Sequence, residues 1–216
     1  MRDLPFFVTD NGVADLILKE IPYKQTAYIR VREAQPGELD ELIGECRSFC
    51  RMAGADRIYA TGHPELDRWP LYTEVLAMRG TAWVDREKLC SLFPVTDQTV
   101  TQWRKIYNER MASVHNSATL ETRDEKRIVE SAGAYFVHEN GELLGIGWLA
   151  DTALLAVASV KSGAGEKVMH TLMSLVEGAV MSLEVASTNG RAIKLYEKLG
   201  FLPVASVSRW YDVSGA

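Results

Sequence analysis

The residues best placed to do chemistry lie in the last fifth of the chain. Gly163-Ala164-Gly165 opens one amphipathic stretch, and Tyr196 sits between Asn189 and Gly200-Phe201 in a second. A helix N-terminus leaves backbone N–H groups unpaired at the positive end of its dipole, and glycines let an anion approach that backbone. The ligand this predicts carries phosphate. The same two glycines serve equally well as a tight strand-to-helix turn, so the motif needs its context. Tyr196 also has two readings: an inward tyrosine is ordinarily a core aromatic with a bonded hydroxyl, yet it is also a proton donor of pKa around 10.

These groups need elements to hold them. Residues 154–160 are an unbroken apolar and small-residue run of strand length, and Val168, Met169, Leu172, Met173, Leu175 and Val176 then recur at helical spacing over 165–177. A strand follows over 181–186, with Leu183 and Val185 on one face and Glu184 on the other. Ser187, Thr188 or Asn189 caps the next helix, which keeps Ala192, Ile193, Tyr196 and Leu199 on one side and stops at Gly200. Two familiar phosphate motifs do not fit this order. Gly165-Glu166-Lys167 is followed by Val168, which breaks P-loop spacing. Val168 also stands where a dinucleotide fingerprint needs its third glycine, although Glu184 lies near the place of its ribose acid.

Strand, Gly-x-Gly turn, helix, Leu-x-Val strand, Asn, and a helix reading Ala-x-x-x-Tyr-x-x-x-Gly-Phe is the order of the GNAT superfamily of acyl-CoA N-acyltransferases, and from about Lys88 onward the sequence resembles it. The resemblance implies an α/β fold with a mixed sheet and acetyl-CoA as co-substrate. It implies that Gly163, Ala164, Gly165 and Glu166, with the adjoining Leu155, Ala156, Val157, Ala158, Val160, Lys161 and Ser162, line the acyl-CoA site. Asn189 and Ala192 belong to the same site, Asn189 helping to hold the pantetheine arm, and Tyr196 protonates the departing thiolate. Leu-Glu-Val with Tyr twelve residues on also looks like the N-terminal-alanine acetyltransferases of ribosomal proteins, which makes Glu184 the candidate general base. A Glu acting directly or through a water can take an amine proton, and a Tyr can return one to sulfur, with no covalent enzyme intermediate. The oxyanion donor is then a backbone N–H near a bulge somewhere in 155–158. The sequence departs from the family at Val160, where Gln or Arg is usual, and Lys161 is the alternative phosphate partner. It also supplies one strand, 202–213, where the family has two, which leaves the acceptor side open.

The wider composition narrows the setting. With 47% hydrophobic and 25% charged residues the chain reads as globular, and a net charge of −5 without a basic stripe argues against nucleic acid as a main ligand. Residues 1–5 lack a signal-peptide core and no apolar run approaches the ~20 residues of a membrane span, so the expected setting is cytoplasmic and away from membranes. Cys46 and Cys50 share the apolar face of Leu39, Leu42, Ile43 and Phe49 and read as reduced core residues, and the four histidines show no metal-ligand spacing. No metal is expected.

A repeat accounts for the length beyond one GNAT core. Phe7-Val8-Thr9-Asp10-Asn11-Gly12 echoes Phe136-Val137-His138-Glu139-Asn140-Gly141, and each reads as a strand with a type I′ turn. Two further strands, an amphipathic helix (38–53 against 165–177), a strand (57–61 against 181–186) and a helix ending in Gly80 or Gly200 follow in both. In the first copy Arg32-Glu33-Ala34-Gln35-Pro36-Gly37 replaces the glycine turn, and Leu76 falls where Tyr196 stands. Residues 1–86 therefore read as a degenerate GNAT-like lobe without a cofactor loop, able to donate the missing strand, and 87–216 as the catalytic domain. Helices over 99–111 and 122–130 lie on the acceptor side, where Trp103, Tyr107, His115 and Asn116 are either pocket or core residues. The partner is a small-molecule or peptide amine of unspecified identity, and a homodimer is left open. The rival function is a non-catalytic, regulatory acyl-CoA-binding module.

Overall fold

The computed structural model describes residues 6–115 and 117–215, so the reading of residues 1–5 and the pocket assignment of Asn116 lie outside the described residues. Along the chain the strands are β1 (Phe6–Thr9), β2 (Gly12–Ile17), β3 (Thr26–Ala34), β4 (Arg57–Thr61), β5 (Leu71–Thr81), β6 (Ser91–Pro94), β7 (Ala134–Glu139), β8 (Glu142–Ala150), β9 (Ala153–Ser159), β10 (Val180–Ala186) and β11 (Leu202–Asp212). The α-helices are α1 (Ile21–Lys24), α2 (Leu39–Met52), α3 (Val100–Met111), α4 (Glu125–Glu130), α5 (Gly165–Met173) and α6 (Gly190–Lys198). Among the described residues, packing groups 6–75 with 206–215 in one compact unit and the rest, from 76 to 205, in another, a division by compactness rather than by the repeated element order of 1–86 and 87–216. Strands β5 and β11 run across that division.

In the first unit, β1, β2 and β3 form an antiparallel meander and β4 joins β3 in parallel. The apolar stripe of α2, Leu39, Leu42, Ile43, Cys46 and Cys50, covers one face through contacts with Ala14, Leu16, Ala27, Ile29, Ile58 and Ala60. Burial pushes the Cys46 and Cys50 thiols up to about 12 and about 11, so both behave as small apolar core residues. Tyr28, Tyr59, Val75 and Trp210 form a separate cluster.

The second unit repeats the pattern. Its strand order is β5-β10-β9-β8-β7-β6, with β7, β8 and β9 antiparallel and β10 parallel to β9. Val168, Met169, Leu172 and Met173 of α5 and Tyr196 and Leu199 of α6 pack on Leu154, Met181, Leu183 and Val185. A second cluster joins Trp103, Tyr107 and Ile128 from α3 and α4 to Phe136, Ile146, Trp148 and Ala156. Trp103 is fully enclosed and its indole donates to the Tyr135 carbonyl at 3.1 Å, so Trp103 and Tyr107 are core residues.

Two expectations change. The stretch before Gly80 is strand β5, preceded by a 3₁₀ turn at Pro64–Arg68, and not a helix. Thr73 and Val75 are buried while Glu74 between them is not, which is strand periodicity with β-branched residues inward. Gly80 stops no helix: a Cβ there would lie 3.0 Å from the Gly200 carbonyl oxygen and 3.0 Å from Phe201 Cα, so glycine permits a close backbone approach. Leu76 on β5 is consequently no counterpart of Tyr196. The hairpins also differ, because Asn140 and Gly141 take φ 51° and 81° as a type I′ turn requires, whereas the first turn uses Asp10 and Asn11, neither of which has positive φ.

Candidate active site

The central feature is where β9 and β10 part. Their parallel register covers only Ser182 with Ala153 and Leu183 with Leu154. The register against β8 passes from Leu149 opposite Leu154 to Trp148 opposite Ala156, which leaves Leu155 as a bulged extra residue. Side chains record the switch: Leu154 and Val157 pack in the α5 cluster, Ala156 and Ala158 in the α3 cluster, and Leu155 is 53% exposed. The bulge expected somewhere in 155–158 thus sits at its first residue. Val160 N–H donates to the Leu144 carbonyl at 2.7 Å on β8. Backbone directions alternate along a strand, so Val157 and Ser159 turn their N–H groups toward the β10 side, where the gap opens.

Past β9 the chain runs through Val160, Lys161, Ser162 and Gly163 into α5. Gly163 has φ 80°, a left-handed conformation that glycine takes without strain. The first hydrogen bond of α5 is Val168 N–H to the Ala164 carbonyl at 3.0 Å, which leaves Gly165, Glu166 and Lys167 with the unpaired N–H groups of a helix start. Ser162 and Gly163 N–H likewise have no intramolecular acceptor among the described residues. Gly165 faces α6, where a Cβ would lie 3.1 Å from Leu195 Cδ2. Ala164 N–H is spent on the Lys161 carbonyl at 3.3 Å, and the free donors on either side of it, on a glycine-bearing loop, fit a diphosphate.

The charges around this row are largely paired. Glu166 accepts from Lys198 and, at 3.0 Å, from Lys88, and these lysines hold its carboxyl below the usual range. Lys167 bonds Glu139 at 2.8 Å. Lys161, the expected phosphate partner, is engaged with Glu142 in a solvent-exposed pair.

On α6, Asn189 accepts the Ala192 N–H at 3.3 Å and is the helix N-cap. Tyr196 is 7% exposed, with its ring 6.1 Å from that of Phe201. Burial alone pushes its phenol up to about 12, with no hydrogen bond or charge contributing. Its hydroxyl has no hydrogen-bond partner among the described residues and is not one of the fully enclosed unpartnered polar atoms, so it opens to solvent. Leu183 and Val185 pack in the cluster of Tyr196, while Glu184 is exposed and turned to the opposite side of β10. The two expected proton carriers therefore lie on opposite faces of the strand that borders the gap. The residue the sequence did not single out is Arg110 on α3, which donates to the Val160 carbonyl at 3.2 Å. Its only sequence signal was a cation in the last turn of a helix. Among the described residues no group of three or more His, Cys, Asp or Glu is placed to hold a metal, and no helix is long and apolar enough to cross a membrane.

No family model matches the chain. Over 54 residues it is 39% identical to the N-alpha-acetyltransferase RimI of Mycobacterium tuberculosis, a match spanning 25% of this chain and 34% of that protein, about a third of its length. Among solved structures, a GCN5-related N-acetyltransferase from Kribbella flavida is similar with a TM-score of 0.58 and 14% identity, over 99% of this chain and 91% of its own. A probable N-acyltransferase from Enterococcus faecalis V583 reaches a TM-score of 0.62 at 11% identity, over 94% of this chain and 59% of its own. A functionally unknown conserved protein from Staphylococcus epidermidis gives 0.57 at 10% identity, over 97% and 93%.

Proposed function

We propose that this chain, whose fold is that of the GNAT superfamily, is an acetyl-CoA-dependent N-acetyltransferase that passes the acetyl group directly to a primary amine. The observation that carries the reading is Tyr196: a phenol protonated throughout the physiological range, without a bonding partner among the described residues, and packed with Leu183 and Val185 of β10 and Val157 of β9, the strands that part there and lead into a loop of free N–H donors. When bound, acetyl-CoA supplies an activated thioester. The free N–H groups of Ser162, Gly163, Gly165, Glu166 and Lys167 hold its diphosphate, and Asn189 keeps its amide NH₂ for the pantetheine arm because only its oxygen is used as the cap.

Glu184, on the other face of β10, takes the proton of the incoming amine directly or through a water. Val157 N–H, the first to face the gap after the bulge, stabilises the charge that develops on the carbonyl oxygen. Tyr196 gives its proton to the departing sulfur. Acid and base on opposite faces suit a group seated in the gap between them. The chain is further proposed to work in the cytoplasm.

Val160, apolar where the family carries Gln or Arg, favours a second reading as a non-catalytic acyl-CoA-binding module. One experiment separates them: calorimetry with acetyl-CoA, CoA and NAD, followed by thiol release over a panel of amines. The panel begins with peptide N-termini, the acceptors that the name of the matching relative suggests, and includes lysines, polyamines and aminoglycosides. Acetyl-CoA binding with acetylation of one amine class is the expected result. CoA binding without turnover supports the module, and failure to bind either CoA species defeats both.

A further inference from the structure

We infer that Arg110 is the cation that clamps the diphosphate of the acyl carrier, reaching the cradle from α3 in place of the side chain missing at Val160. The inference rests on the acetyl-CoA reading above and adds to it a binding residue that lies outside the glycine loop.

Three observations converge on it. Arg110 Nη2 donates to the Val160 carbonyl at 3.2 Å, which fixes the guanidinium at the first residue of the loop. A guanidinium has five N–H donors, and this bond uses one. The other ionic contact of Arg110 is with its chain neighbour Glu109 at 4.0 Å, the outer limit of an ion pair, and its side chain is 39% exposed. The lysines around the loop are differently placed: Lys161 is paired with Glu142, Lys167 with Glu139, and Lys88 and Lys198 share Glu166. Each would have to leave a close carboxylate before meeting a phosphate, whereas Arg110 is held in position by a neutral carbonyl and its one ionic contact lies at the 4.0 Å limit. A guanidinium also matches phosphate geometry with two parallel donors, which an ammonium does not. Helix start and arginine thus approach the same loop from two elements.

Arg110→Gln removes the charge and the reach to the Val160 carbonyl while leaving a polar side chain on an exposed helix end. Calorimetry of wild type and variant with CoA and 3′-dephospho-CoA, with thermal midpoints measured alongside, tests the assignment. The expected result is an unchanged midpoint and a dissociation constant raised about 10- to 100-fold for both ligands, the loss of a charged hydrogen-bonding partner. Equal affinities in a folded variant overturn the proposal and leave Arg110 as a backbone cap. A loss confined to CoA assigns the arginine to the 3′-phosphate and overturns the diphosphate clamp. A wild type that binds neither ligand defeats the acetyl-CoA reading itself. Should Arg110→Gln fail to fold, Arg110→Lys carries the same comparison: several-fold weaker binding of both ligands supports the bidentate clamp, and wild-type affinity refutes it.

Discussion

At Tyr196 the physical case is one of contrast with the ordinary buried tyrosine. The sequence showed the residue on the inward face of a helix, which by itself describes a core aromatic. What it did not show is that the hydroxyl goes unbonded, because a partner depends on everything packed around α6. With burial pushing the phenol up to about 12, the group keeps its proton to well above its ordinary value near 10, as an acid must and a base must not. Tyr196→Phe removes that proton and little else. It is expected to lower kcat by about 100- to 10,000-fold, while acetyl-CoA affinity by calorimetry stays within about twofold of wild type because the ring remains in place. Unchanged turnover in a chemistry-limited assay removes Tyr196 from the acid role. Because the folded state holds the proton more tightly than the unfolded one, the contribution of Tyr196 to stability is complete below pH 10 and is lost as the pH rises toward about 12. The turn at Gly163 and a cap within 187–189 are legible at this scale because φ preference and capping are local, and packing selects Asn189 among the three. Arg110 was not, since its partner at Val160 lies 50 residues away.

Among the elements, those whose pattern is local came through the sequence well: α2, α3, α5 and α6 begin within a residue or so of expectation, although α5 ends at Met173 and passes into a 3₁₀ turn. Strand β5 did not, and the reason lies in Gly80. A glycine after an apolar run resembles a helix stop, and only the Cα atoms of a distant segment reveal that it is a contact. The bulge at Leu155 was legible only as a range, since register is a property of two strands and not of one. Gly80→Ala tests the reading of β5. A methyl group at 3.0 Å from the backbone of Gly200 and Phe201 has no flexible side-chain end to displace, so β5 or the chain at the end of α6 must shift. The expected cost is about 1–3 kcal/mol in urea unfolding, with an unchanged denaturant slope. An exposed helix C-terminus would instead lose about 1 kcal/mol or less on the same substitution and leave Gly200 undisturbed.

Across the whole molecule, both units build the same sequence of elements, three antiparallel strands, a helix and a parallel fourth strand, yet their strand-to-helix connections have opposite electrostatics. In the second, the first turn of α5 carries one carboxylate, Glu166, and two lysines neutralise it. In the first, Glu38 occupies the N-cap position of α2 and Asp40 and Glu41 follow in its first turn. Those charges suit the dipole of the helix and so stabilise α2, and they repel any anion brought to the same place. The loop before α2 also spends its donors internally, Gln35 N–H on the Asn11 carbonyl at 2.8 Å and Glu38 N–H on the Gln35 carbonyl at 3.0 Å, where the loop before α5 leaves Ser162 and Gly163 free. Equivalent topology thus comes with opposite electrostatics at the two helix starts. Saturating calorimetry with CoA is expected to give one molecule bound per chain, and Gly163→Val, which forces a branched residue into a left-handed conformation at the proposed diphosphate site, to abolish that single event. Two binding events per chain, or one that survives Gly163→Val, would place a working cradle at the start of α2 and overturn the expectation that residues 1–86 lack a cofactor loop.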